Sequence, residues 1–315
     1  MSADESIAKM TLADYPSLYA ASDRVSAEAQ ARYLRMQWIY LASLACAGVV
    51  GALGPRVMAS LPDSHIWTGM VATIFLAVGV ALLWVMRIRR PDKTWFDGRA
   101  IAESVKTSTW RYMMSVPPFG LDRNPEHADR EFVSQLEEIH SARPGIEKAL
   151  AADKHAGGAR ITDLMRRVRG SPFDVRRAFY LRDRLQDQRA WYERKAAACA
   201  RSAGAWFWIV ATLQTIALPL AIVNLTLSTS LADVAPVAAS LVAPLVAWVQ
   251  IKRYDELAQA YSMAAQELSD MESMALRATT EEQFRQLTLQ AEEASSREHT
   301  MWCARRETSL ARQLG

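Results

Sequence analysis

Four long apolar segments alternate with charged, amphipathic ones along this chain of 315 residues. They cover about residues 37–54, 66–86, 204–227 and 231–251. Each is close to the roughly 20 apolar residues that an α-helix needs to cross a bilayer. Because only a short turn separates the first from the second, and the third from the fourth, the pattern predicts two membrane hairpins.

The segments that flank the hairpins are amphipathic at helical spacing. After the fourth apolar segment, apolar residues stand alternately four and three positions apart, which is the spacing of a coiled-coil seam. The seam residues are Leu257, Tyr261, Ala264, Leu268, Met271 and Ala275. We therefore expect an all-α protein whose four transmembrane helices extend into a cytoplasmic helical bundle or coiled coil.

The same order of elements occurs twice, with an offset of about 165 residues: an amphipathic helix, a membrane hairpin, a basic segment directly after the hairpin and a second amphipathic helix. We interpret this order as an internal duplication. The first unit covers residues 1–118 and the second covers residues 172–315. A polar cytoplasmic connector, residues 119–171, joins them.

Small residues recur on one side of three membrane segments. They are Gly48, Gly51 and Gly54 in the first, Gly69, Thr73, Ala77 and Ala81 in the second, and Ala235, Ala239, Ala243 and Ala247 in the fourth. Such faces let membrane helices approach closely, so we predict that they pack the hairpins. Lining of a pore is the alternative.

Basic residues predict the orientation in the membrane. About three Lys or Arg lie in residues 24–37, about seven in 87–111 and about eight in 176–203. We call the turn that joins the two helices of each hairpin its outer turn. The first outer turn contains one basic residue, Arg56, and the second contains none. Since Lys and Arg accumulate on the cytoplasmic side, both termini and the connector are expected there.

Two helix starts carry recognisable caps. Ser171 precedes Pro172 and is expected to cap a helix whose first residue is that proline. Thr279 and Thr280, followed by Gln283, have the pattern of a capping box that opens the last helix.

Composition adds little chemistry to this architecture. The 37 basic and 34 acidic residues nearly balance at a net charge of +3, which argues against a nucleic-acid partner. The five histidines and three cysteines are scattered, and no nucleotide-binding, hydrolase or metal-binding motif occurs. We therefore expect a protein that is not an enzyme and has no catalytic residues, metal site or cofactor.

One strongly polar side chain interrupts the apolar segments. Gln214, with Thr212 and Thr215 close by, lies near the middle of the third segment. A polar group at this depth needs a partner or water, because hydrocarbon offers it no hydrogen bond. Two interpretations stay open: a hydrogen bond between helices, and the lining of a pore.

Aromatic and charged residues cluster after the first hairpin: Trp95, Arg99, Glu103, Lys106 and Arg111. Arg99, Glu103 and Lys106 stand on adjacent turns and can pair within the helix. The alternative is a cytoplasmic collar that binds an anionic signal or a lipid headgroup.

Amphipathic and basic residues also flank the second hairpin. Trp191, Tyr192 and Lys195 precede its first helix, and Lys252 and Arg253 follow its second. Such side chains anchor helices at the membrane interface, and we prefer this role to ligand binding.

Four stretches carry a family resemblance. Two flank the first hairpin, DYPSLYAASDRVSAEAQARYL and WFDGRAIAESVKTSTWRYM, and two flank the second, YLRDRLQDQRAWYERKA and QIKRYDELAQAYSMAAQEL. They resemble the two halves of tandem SLATT proteins, the SMODS- and SLOG-associating two-transmembrane effector domains of bacteria. The resemblance covers nearly the whole chain except the connector, around residues 120–170.

This resemblance implies an effector of a bacterial conflict, or anti-phage defence, system in the inner (cytoplasmic) membrane. Such an effector is expected to act as a homo-oligomer in the lipid bilayer, forming a pore or ion channel or disrupting the membrane once a nucleotide signal or a sensor protein engages it. A non-conducting scaffold or sensor that docks a partner through its cytoplasmic helices is the alternative. A small transporter is a weaker one, because no charged residue lies deep within the membrane segments.

Overall fold

The computed structural model describes residues 7–60, 62–120, 124–153, 157–227 and 234–294. Helices fill most of these ranges and no strand occurs in them, which confirms the predicted all-α class. In chain order the α-helices are α1 (Ser17–Val57), α2 (Ser64–Arg89), α3 (Pro91–Met113), α4 (Pro125–Ser141), α5 (Glu147–Ala151), α6 (Asp163–Arg169), α7 (Phe173–Tyr180), α8 (Asp187–Leu227), α9 (Val234–Lys252), α10 (Tyr254–Arg277) and α11 (281–294). Short 3₁₀ helices cover Leu12–Asp14 and Pro144–Ile146, and a π-helix, Leu181–Gln186, joins α7 to α8.

Four helical runs are long and apolar enough to cross a membrane, and they contain α1, α2, α8 and α9. These helices match the four predicted membrane segments, although residues 231–233 at the start of the fourth lie outside the described residues. Helices α1 and α8 are each 41 residues long, which is about 60 Å at 1.5 Å per residue and twice the hydrocarbon thickness. Each therefore joins an amphipathic segment to a membrane segment without a break.

The described residues fall into two compact units. The core unit comprises the chain up to Gln30, Asp92–Glu193 and the chain from Met263 onward. The hairpin unit comprises Ala31–Pro91 and Arg194–Ser262, and it holds the apolar parts of the four membrane helices. Helices α1 and α8 contribute to both units, so each unit draws on both halves of the sequence.

An aromatic cluster forms the centre of the core unit. Its largest fully buried side chains are Trp110, Tyr112, Phe119, Phe132, Tyr180 and Phe284. The rings of Tyr180 and Phe284 meet edge to face at 5.6 Å, a favourable geometry for aromatic pairs. The one polar atom of Trp110 is satisfied, because its Nε1 donates a hydrogen bond to Tyr15 Oη (3.1 Å).

The predicted connector, residues 119–171, is part of this core rather than a polar linker. Phe132 and Leu136 of α4 are buried in it, and so are Met165 and Val168 of α6. Spacings of four and three residues place each pair on one side of its helix. The short helices carry polar residues on their other sides, which is why the segment as a whole reads as polar.

Small residues mark where α1 and α2 approach each other in the hairpin unit. A Cβ atom on Gly54 of α1 would clash with the Thr68 side chain of α2. A Cβ atom on Gly79 of α2 would lie 3.2 Å from Ser43 Oγ of α1. Each of these contacts therefore sets a glycine of one helix against Thr68 or Ser43 of the other, and the Tyr40 ring also lies 3.7 Å from a Cβ on Gly79.

Helix α1 also contacts α9 of the second hairpin. A Cβ atom on Gly48 would clash with Ser240 of α9. Nearer the start of the membrane segment, the rings of Trp38 and Trp248 meet at 5.1 Å with an interplanar angle of 68°. Of the predicted glycine face, Gly54 thus contacts α2 and Gly48 contacts α9, whereas no atom of a neighbour lies within 4 Å of a Cβ on Gly51.

The predicted small-residue faces of the other two segments point away from these contacts. Gly69, Thr73, Ala77 and Ala81 of α2 are exposed, and so are Ala235, Ala239 and Ala243 of α9, while Ala247 is half-buried. The prediction that these faces pack the hairpins is therefore wrong. Helix α2 contacts α1 through Thr68 and Gly79 instead, because both sides of a membrane helix are apolar and hydropathy does not select between them.

The two hairpins leave the membrane segments in the same way. Arg90 follows α2 and Arg253 follows α9, and both adopt the left-handed conformation, with φ of 43° and 51°. The backbone N–H of Arg90 donates to Met86 O (3.0 Å), and that of Arg253 donates to Val249 O (2.8 Å). A single left-handed residue that is not glycine ends each membrane helix and starts the next helix.

Candidate functional site

Gln214 lies on the exposed side of α8, near the middle of the third membrane segment. Within the described part of the chain, its carboxamide forms no hydrogen bond. The hydrogen bond between helices that the sequence left open is therefore not made among these residues. Burial of an amide in hydrocarbon without a hydrogen-bond partner costs on the order of several kcal/mol of free energy. This side chain therefore needs water or a partner from outside the chain.

Thr212 and Thr215 are exposed on α8 as well. Helical geometry places Thr215 about 60° from Thr212 and about 100° from Gln214 around the axis. The three polar side chains thus form an arc of about 160° rather than one narrow polar stripe. Gln214 stands at one edge of this arc.

The cluster after the first hairpin is built from ion pairs. Arg99 Nη2 lies 2.6 Å from Glu103 Oε1 on the next turn, and Arg99 Nη1 lies 3.3 Å from Asp23 Oδ1 of α1. Burial opposes the charge of Arg99, but the carboxylates of Glu103 and Asp23 raise its pKa overall. Burial lowers the pKa of Lys106. The geometry favours pairing within the fold over a free cationic collar.

The other two members of this cluster have structural positions too. Trp95 is buried and stacks on Phe96 with the ring centroids 4.8 Å apart. Arg111 Nη2 lies 3.2 Å from Glu293 Oε1 of α11. An anionic ligand would have to displace these contacts to use the cluster.

The sequence did not indicate a buried ion pair between α11 and the π-helix. Arg184 and Glu292 make two contacts, Nε to Oε1 at 2.8 Å and Nη2 to Oε2 at 2.5 Å, and their side chains are 4% and 1% exposed. The Tyr180 hydroxyl donates to Glu292 Oε1 at 2.9 Å. Burial, together with the charge of Glu292, raises the pKa of Tyr180 well above its ordinary value. Helical spacing within each segment gave no sign of a pairing 108 residues apart.

The π-helix Leu181–Gln186 places two consecutive charged residues, Asp183 and Arg184, inside the core unit. Asp183 Oδ2 accepts a hydrogen bond from the backbone N–H of Met10 (2.8 Å), and its Oδ1 accepts one from Arg182 Nε (2.6 Å). The segment before α1 is thus tied to the helix that continues into the third membrane segment. Single π turns are frequent at functional sites.

The predicted anchors before the third membrane segment all lie in α8, on both sides of the boundary between the two units. Trp191 and Tyr192 are half-buried and their rings meet edge to face at 5.1 Å. Lys195 is exposed. The aromatic pair lies in the core unit and Lys195 lies in the hairpin unit.

The predicted anchors after the fourth segment have aromatic and acidic neighbours. Lys252 Nζ lies 5.7 Å from the ring centroid of Trp248 and 5.6 Å from that of Tyr254. Both distances are typical of cation–π contacts. Arg253 pairs with Glu256 one turn further along the chain.

A cavity of about 410 Å³ opens in the core unit between α1, α4 and α5. Leu18, Ala21, Leu136 and Leu150 give it an apolar floor, and His140 lies among the polar residues that complete its lining. Its size and polarity suit a small organic ligand. No group of three His, Cys, Asp or Glu side chains among the described residues is placed to hold a metal ion.

Two family models match the chain in tandem. The SMODS and SLOG-associating 2TM effector domain 3 matches residues 16–177, and the SMODS and SLOG-associating 2TM effector domain 1 matches residues 180–302. The two matches meet at the end of α7, directly before the π-helix. No curated protein and no solved structure is similar enough to this chain to count as a match.

Proposed function

Because this chain belongs to the SMODS and SLOG-associating 2TM effector (SLATT) family, whose members are membrane effectors of conflict systems, we propose that it forms an oligomeric pore or disrupts the bilayer on receipt of a signal. The signal is a nucleotide or a sensor protein that engages the core unit. The membrane is the bacterial inner membrane, and both termini are cytoplasmic. The excess of Lys and Arg outside the two outer turns supports this orientation.

The exposed carboxamide of Gln214 is the observation that carries the proposal. In a single chain it would face hydrocarbon, where neither its N–H groups nor its carbonyl oxygen can form hydrogen bonds. A second copy of α8 supplies a matching carboxamide, and a water-filled pore supplies solvent. Both solutions require several chains around one axis, which supports a homo-oligomer.

The test compares ion flux from liposomes that contain the intact chain or Gln214→Leu. We expect the intact chain to sediment as an oligomer and to release trapped ions, and we expect Gln214→Leu to lose most of both properties. Gln250→Leu, an exposed glutamine near the end of α9, is the matched control and should behave like the intact chain. Tight liposomes together with a strictly monomeric intact chain would contradict the proposal.

A non-conducting sensor is the second candidate, and the cavity between α1, α4 and α5 favours it. In this case the core unit binds a ligand or docks a partner, and the hairpins only hold it at the membrane. A stable partner that co-purifies with the chain, with ion flux equal in the intact chain and Gln214→Leu, would support the sensor over the pore.

A further inference from the structure

The arginines of the core unit and those of the first hairpin differ in whether they have acidic partners. In the core unit, arginines such as Arg99, Arg176 and Arg184 pair with carboxylates. In the first hairpin, five exposed arginines form no ion pair with any described residue. They are Arg32 and Arg35 of α1, Arg87 and Arg89 of α2, and Arg90. These five share one end of the first hairpin, because α1 enters the membrane where α2 leaves it.

The hairpin itself has no acidic residue near this end, and the nearest carboxylates outside it, Glu28 and Asp92, form no ion pair with these arginines among the described residues. Residues 31–91 contain one carboxylate, Asp63, and it lies in the turn at the opposite end. The five positive charges are therefore not compensated within the hairpin. Charges of one sign at short range repel each other unless an anion binds between them.

The packing of α1 and α2 places two of these arginines opposite each other. The contacts between Ser43 and Gly79 and between Gly54 and Thr68 are 11 residues apart on each helix, so the two helices run antiparallel in constant register. Eleven residues make about three turns, which return to the same side of a helix. Three further turns from the first contact lead to Arg32 on α1 and to Arg90 at the end of α2. The two residues thus share one level of the hairpin, Arg32 within α1 and Arg90 directly after the last residue of α2.

Large apolar side chains are exposed on the same helix, on the side of α2 that the register turns away from α1. Trp84 is 65% exposed and Ile88 is 75% exposed. A ligand of this end of the hairpin therefore meets arginines at its polar head and an apolar helix surface along its tail. Guanidinium groups bind phosphate oxygens through paired hydrogen bonds, which makes phosphate the anion that fits best.

We propose that this end of the first hairpin binds the phosphate of an acidic phospholipid between Arg32 and Arg90. Arg35 and Arg87 flank the headgroup, and the acyl chains lie along the apolar surface of the hairpin. The site selects phosphatidylglycerol over phosphatidylcholine, whose choline group cancels the charge of its phosphate. The binding is independent of pore formation, so it holds for a pore and for a sensor.

The experiment titrates the full-length, delipidated chain in detergent with phosphatidylglycerol or phosphatidylcholine of identical acyl chains and counts retained lipids by native mass spectrometry. We expect about a tenfold preference for phosphatidylglycerol in the intact chain, from two or more arginine contacts at the surface. Arg32→Gln with Arg90→Gln should reduce the preference to about twofold or less. Arg32→Lys with Arg90→Lys keeps the charge without the paired hydrogen bonds, and an intermediate preference is expected.

The matched control is Arg194→Gln with Arg201→Gln, which removes two exposed arginines of α8 that also lack an ion pair among the described residues. It should keep the full preference. An equal loss in this control would overturn the proposal in favour of diffuse surface charge, and so would an intact chain without any preference. Loss of the preference in about 10 mM inorganic phosphate would assign the site to soluble phosphate instead of lipid.

Discussion

Glu292 of α11 receives two hydrogen bonds from Arg184 of the π-helix, and both side chains are almost fully removed from solvent. The same carboxylate accepts a hydrogen bond from Tyr180. Burial alone would lower the pKa of Arg184, but Glu292 raises it overall, so the guanidinium stays charged. This ion pair joins the last described helix to the segment that precedes the third membrane helix.

Removal of one partner from this ion pair is expected to destabilise the core unit. Glu292→Ala leaves a buried guanidinium without its counter-charge and should lower the free energy of unfolding by about 3–5 kcal/mol. Glu293→Ala is the control, because Glu293 is 46% exposed and pairs with Arg111 at the surface, a contact worth less than about 1 kcal/mol. Thermal unfolding in detergent, followed by tryptophan fluorescence, measures both. Equal losses in the two variants would show that burial of the pair does not matter.

Ionisation of Tyr15 gives the core unit a stability that depends on pH. Burial raises the pKa of Tyr15 to about 12. The pKa of a tyrosine in an unfolded chain is about 10. The folded chain therefore binds this proton more tightly than the unfolded chain does. The contribution is complete below about pH 10 and is lost as the pH rises through about 12. Tyr15→Phe should flatten the fall of the melting temperature over this interval, and parallel curves for the two proteins would contradict the assignment.

Asp183 is expected to control the order of the segment before α1. Asp183→Ala removes the acceptor for the Met10 N–H and should speed amide hydrogen exchange of Met10 about tenfold or more, because hydrogen bonds to charged groups contribute roughly 1.5–3 kcal/mol. Asp187→Ala is the control, since the pair that Asp187 forms with Lys9 is half-exposed on both sides. If amide exchange at Met10 is as fast in the control as in Asp183→Ala, the hydrogen bond to Asp183 does not hold this segment in place.

Substitution of two glycines in α1 distinguishes the effect of close helix packing from the effect of helix propensity. Gly54→Val forces new methyl groups against Thr68 and should destabilise the hairpin unit by about 1–3 kcal/mol. Gly51→Val makes the same change in the same helix, where no atom of a neighbour lies within 4 Å of the added Cβ. Its effect on unfolding in a detergent titration should therefore be much smaller. A similar effect at both positions would place the close approach of α1 and α2 elsewhere.

The membrane helices could be predicted because their signal is local. A run of roughly 20 apolar residues is visible without any knowledge of its neighbours, and all four predicted segments contain a helix in the structure. The side that each helix turns to its partner could not be predicted in the same way. On α2 the exposed Gly69 and the buried Thr68 are neighbours in sequence and differ only by about 100° around the axis.

Helix caps show the same limit at shorter range. Thr280 and Gln283 form the predicted capping box, with Gln283 N donating to Thr280 Oγ1 at 3.3 Å and Thr280 N donating to Gln283 Oε1 at 3.4 Å. The predicted cap at Ser171 is wrong, because its hydroxyl donates to Arg167 O of α6 at 2.7 Å and α7 begins only at Phe173. The hydroxyl bonds to the helix before it instead of capping the helix after it. This choice depends on how the two helices are arranged in the fold.

The candidate site was predictable only in part. The exceptional polarity of Gln214 is evident from the sequence, whereas its exposure follows from the packing of α8. The register that sets Arg32 opposite Arg90 follows from contacts such as that of Gly79 with Ser43. Relations of this kind depend on which helices are neighbours, and no periodicity within one segment encodes them.

The ring pair of Trp38 and Trp248 gives the protein an optical reporter of its own. Two indoles at 5.1 Å with their planes at 68° couple their electronic transitions, and such coupling produces a paired positive and negative band in circular dichroism. One ring belongs to the first hairpin and the other to the second. Separation of the hairpins would therefore erase the band pair in the unlabelled protein, in real time and inside a bilayer.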